Sequence, residues 1–77
     1  MMHPSTMHPS DLITELHAAG YSNAAIGYLL SEYGASRAIS ERTVRRWALG
    51  HTEPRLSDAI ALRALYVAVI AIGQNRR

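Results

Sequence analysis

The chain has 77 residues, 48% of them hydrophobic, a net charge of +2 and no cysteine. A chain this short hides only about 60% of its unfolded surface on folding, so dense helix packing or self-association must supplement the core, while disulfides and thiolate metal sites are excluded. The charge is uneven: residues 1–36 hold Asp11, Glu15 and Glu32 and no arginine, whereas residues 37–77 hold all eight basic residues, every one arginine, against Glu41, Glu53 and Asp58.

In chain order, the repeated Met-His-Pro-Ser at residues 2–5 and 7–10 reads as a flexible tail over residues 1–9. Ser10 and Asp11 then suit the start of a helix carrying Leu12, Ile13, Leu16 and Ala19, and Gly20 suits its end. A second helix repeats that pattern. Ser22 caps it, Ile26, Leu29, Leu30 and Tyr33 form its apolar stripe, and Gly34 stops it. After a loop, Ser40 is placed to cap a third helix, Glu41 to Leu49. At 100° per residue, Val44, Trp47 and Ala48 gather on one side and Arg42, Arg45 and Arg46 on the other. Pro54 bars continuation past the turn. The last helix, about Ser57 to Ile72, is apolar nearly all round, which asks for burial on every side. The face left over from the domain's own core points to a second subunit, with Leu62, Leu65, Tyr66, Val69 and Ile72 as the expected dimer interface. Residues 73–77 form a basic tail.

The stretches "YSNAAIGYLL", "ISERTVRRWALG" and "GHTEPRLSDAIAL" resemble the helix-turn-helix regulators of the phage repressor and Cro type. The resemblance covers about Ser10 to Leu65. It implies an all-α, compact, four- to five-helix domain of the lambda-repressor-like kind, spanning 10–72. Its third helix would lie in a DNA major groove about 12 Å wide. Val44 and Trp47 match the two positions that anchor that helix to its domain. Ser40, Glu41, Arg42 and Arg46 then match positions aimed at base edges, and Arg45 is better placed for phosphate. Asn23 matches the polar position that steadies a phosphate at the start of the second helix. Tyr28, Arg37, Thr43 and His51 are further backbone candidates. The chain departs from the family in its turn. A family-standard length would put Ser40 and Thr43 in the apolar anchor positions, so an insertion over about residues 31–38 extends the turn before the recognition helix. Gly27 stands where the family usually has alanine, both residues allowing close helix packing.

The reading is a sequence-specific, double-stranded DNA-binding transcriptional regulator, binding a palindromic operator as a homodimer. Each residue also has a plainer role: Trp47 as core, the arginines as a solvated face, Glu41 as charge balance, His51 as a turn residue. The alternatives are an antitoxin or small helical adaptor that docks a protein partner through the last helix, and a phage terminase or replication subunit. Catalysis lacks support, since there is no lysine, cysteine, glycine-rich phosphate loop or clustered His and carboxylate. No cofactor, metal or small-molecule ligand is expected. The longest apolar stretch, Ala64 to Ile72, falls well short of the roughly 20 residues that span a bilayer. With no export signal, a cytoplasmic protein without membrane association is expected.

Overall fold

Four α-helices and the turns between them account for residues 7–72, which are the residues described by the computed structural model. The expected tail over residues 1–9 lies outside the described residues as far as Thr6, and the basic tail 73–77 lies wholly outside them. Helix α1 spans Pro9–Ala18, α2 Asn23–Leu30, α3 Glu41–Ala48 and α4 Leu56–Tyr66. No strand occurs among the described residues. The Cα radius of gyration, 11.3 Å, matches the roughly 11.5 Å of a compact domain of this length.

Helix α1 starts earlier than Ser10. His8 occupies the capping position without a side-chain bond, and Pro9 opens the helix, where its fixed φ is already helical and its missing N–H is no loss. Ser10 therefore does not cap. Its carbonyl instead accepts from the Thr14 hydroxyl at 2.9 Å. Met7 is buried against the core, so the domain begins no later than Met7 rather than at Ser10.

The other caps form where the local sequence places them. The Ser22 hydroxyl accepts from the Ala25 amide at 3.1 Å, and that of Ser40 accepts from the Thr43 amide at 3.2 Å. At the far end of α3, Gly50 N–H donates to the Trp47 carbonyl and His51 N–H to the Arg46 carbonyl. This double closure needs a left-handed residue, and Gly50 supplies it with φ 77°.

The stripe expected to run to Tyr33 is one helix only as far as Leu30. A 3-10 turn, Ser31–Tyr33, comes next and ends at Gly34. Beyond it the chain is anchored, because Ala35 and Ile39 are both buried in the core. The Ile39 N–H donates to the Gly27 carbonyl at 3.0 Å, clasping the approach to α3 onto the middle of α2. The clasp corrects one expectation: glycine and alanine are not equivalent at position 27. A Cβ there would overlap the Ile39 carbonyl oxygen and lie 3.0 Å from its carbonyl carbon.

Leu12, Ile13 and Leu16 of α1, Ile26 and Leu30 of α2, Val44 and Trp47 of α3, and Leu62 and Leu65 of α4 make one buried cluster. Here the expected dimer interface needs correction. Leu62 and Leu65 are 0% exposed and Tyr66 is 6% exposed, all within a single chain. They are the bulkiest stripe of α4, and α1 and α2 claim it for the chain's own core. Val69 is half-buried against that core, and Ile72 is exposed. After Tyr66 the helix widens into a π turn, Val67–Ala71. The added residue in that turn rotates the succeeding positions by about 100°, which takes Ile72 off the Leu65 face.

Candidate functional site

Helix α3 separates its two sides more sharply than any other element. Val44 is fully buried and Trp47 is 4% exposed, while Glu41, Arg42, Arg45 and Arg46 are all exposed. Burying Val44 and the indole stabilises the domain by roughly 1.5–3 kcal/mol each, and it fixes the rotation of the helix about its axis. The guanidinium groups consequently face outward. Glu41 in the first turn and Arg45 and Arg46 in the last turn complement the helix dipole, so this charge order also assists the helix itself. Glu41, Arg42 and Arg45 line a common surface depression.

Ser40 and Thr43 are less available than their positions suggest. The Ser40 hydroxyl accepts from the Thr43 amide and donates to the Thr43 hydroxyl at 2.9 Å. Its one donor is spent on the cap, and only an acceptor lone pair remains. Thr43 is half-buried, accepts that bond and faces a cleft instead of the arginine side.

Nothing in the sequence foreshadows this cleft of about 370 Å³. It runs between α3 and the turn into α4, with Arg37, Thr43, Trp47, Glu53, Arg55 and Asp58 among its walls. Asp58 is a buried carboxylate in the first turn of α4. That helix has no side-chain cap, and a negative charge beside its first amides compensates. The stretch "HTEPR" signals only a turn. The pairing of its Arg55 with Arg37 across one cleft depends on how α3 and α4 meet.

Asn23, the first residue of α2, is half-buried and its Oδ1 meets His17 Nε2 at the end of α1. A carboxamide oxygen only accepts, so the ring must donate through Nε2–H, and the Asn23 NH₂ is left as the available end. Nothing in the spacing singles out His17, since the contact arises from the bend between two helices. Tyr28 is 64% exposed on α2, and Arg37 and His51 are exposed on their turns.

Among the described residues no group of three or more His, Asp or Glu is arranged to hold a metal ion, and no helix is long and apolar enough to cross a membrane. Comparisons of the chain with protein-family models, with curated proteins and with solved structures find no match.

Proposed function

We propose that the chain is a double-stranded DNA-binding transcriptional regulator of the helix-turn-helix kind, with α3 as recognition helix, acting as a homodimer on a near-palindromic site. The observation that carries the reading is the two-sidedness of α3: Val44 and Trp47 hold it to the domain, and Arg42, Arg45 and Arg46 stand in solvent. Arginine forks match both guanine edges and phosphates. On this reading Arg42 and Arg46 meet base edges and Arg45 meets phosphate. Glu41 accepts from a cytosine amino group, and the Asn23 NH₂ meets phosphate beside α2. Arg37, Tyr28 and His51 are further backbone contacts. Ser40 and Thr43 serve as the cap of α3, a smaller role than their sequence positions suggest. Repression results from occupying promoter DNA, without a cofactor.

Selection from a random duplex pool, followed by titration at several salt concentrations, tests the reading. A palindromic consensus with steep salt dependence is expected. Arg42→Ala should cost about 1–3 kcal/mol and relax preference at one base pair, whereas Arg45→Ala should weaken all sequences alike and lower the salt slope by about one. Salt-insensitive binding, or none, sinks the reading.

One observation favours a second reading, an antitoxin or adaptor that docks a protein through α4: Leu56 and Ile60 on that helix are 77% and 52% exposed. An adaptor would show no salt-steep affinity for random duplex, whereas an antitoxin would bind both DNA and its protein partner.

A further inference from the structure

The face of α4 turned away from the core forms an apolar groove with Tyr33 on one wall and Ile60, Ala64, Val67, Ala68 and Ile72 along its floor. Arg63 lies in the same groove, and its Nε is shut off from solvent without a hydrogen-bond partner. A donor hidden in this way carries a cost that any facing acceptor removes. An occupant that is apolar over most of its length and offers a carboxylate near Arg63 fits this groove. This chain carries both features at one place. Glu32, exposed, immediately precedes Tyr33 in the 3-10 turn that packs on α4.

We infer that the groove is covered by the same groove of a second copy, with Glu32 of each chain paired to Arg63 of the other. A two-fold contact joins identical patches, and a patch with a cation in its groove and an anion in the turn that supplies the Tyr33 wall is complementary to itself. The pairing draws each guanidinium from its unpartnered rotamer into a two-pronged, charge-assisted bond, while Ile60, Val67 and Ile72 leave water. The surface differs from the Leu62, Leu65 and Tyr66 stripe, which the chain's own core already uses. No residue of α3 lines the groove, so the contact does not use its arginine side. The inference rests on the dimeric half of the function proposed above and is independent of its DNA half.

Analytical ultracentrifugation of the full chain without DNA is the test, with circular dichroism to verify folding. A dimer is expected. Ile60→Glu, an exposed position that leaves the core intact, should give folded monomers. Glu32→Arg and Arg63→Glu should each weaken the dimer by at least about 30-fold, and the double exchange should restore it, because the ion pair is then reversed. Restoration distinguishes pairing across copies from any effect on folding. A monomer at every concentration means another segment or a different protein covers the groove, and it overturns the inference. So does a dimer indifferent to Ile60→Glu, or a double exchange no better than its singles. DNA binding measured in parallel separates this failure from failure of the regulatory reading.

Discussion

Gly27→Ala is the substitution whose sign separates helix propensity from tertiary contact. In an isolated helix, alanine in place of a mid-helix glycine would stabilise by about 1 kcal/mol. In this fold the new methyl would overlap the Ile39 carbonyl oxygen, with the carbonyl carbon at 3.0 Å and Val44 Cγ2 at 3.4 Å. Carbon atoms rest about 3.5–4.0 Å apart, and the offending atoms are backbone, so no rotamer relieves them. The segment entering α3 must withdraw, stretching the 3.0 Å bond from Ile39 N–H to the Gly27 carbonyl. Overpacking costs about 1–3 kcal/mol, and the weakened hydrogen bond adds up to about 1 kcal/mol. Against the propensity gain of about 1 kcal/mol, the net is a destabilisation of about 0–3 kcal/mol, centred near 1.5 kcal/mol, with a fall in Tm of about 4–8 °C for each kcal/mol lost. Thermal unfolding followed at 222 nm measures it. A Gly27→Ala chain more stable than the parent, as helix propensity alone would make it, would refute the clasp and with it the placement of α3 on α2.

Three further outcomes depend on the same packing. Ser40→Ala removes the cap of α3 and should cost about 1 kcal/mol; an unchanged Tm would mean the hydroxyl is free for another role. Leu65→Ala, at a fully buried position, should cost about 2–5 kcal/mol by urea denaturation, while Leu56→Ala at an exposed one should stay within about 0.5 kcal/mol. Equal costs would mean that Leu65 is no more buried than Leu56, and reversed costs that the inner and outer faces of α4 are exchanged. Nitrogen-15 correlation spectra of the neutral His17 ring should show the proton on Nε2, as its contact with Asn23 Oδ1 requires. An Nδ1–H ring would reverse the amide and remove the Asn23 donor from the proposed interface.

Local chemistry makes much of this fold legible. The caps at Ser22 and Ser40 and the stop at Gly50 depend on neighbours within a few residues. Helix α3 is readable because its apolar and charged residues segregate fully, so the inward side has no rival. The start of α1 is harder to read, because proline at the first helical position competes with a serine cap and wins. Where composition offers no contrast, the sequence alone cannot choose. From Ala59 on, every residue of α4 except Arg63 is apolar, so any side is a candidate core side. Helices α1 and α2 decide, taking the bulky Leu62, Leu65 and Tyr66 and leaving Ile60 and Ala64 to the outer groove. The Gly27–Ile39 clasp, the His17–Asn23 contact and the cleft at Arg37 and Arg55 are likewise products of the tertiary structure. Each joins groups that no periodicity links, brought together only once the helices have packed.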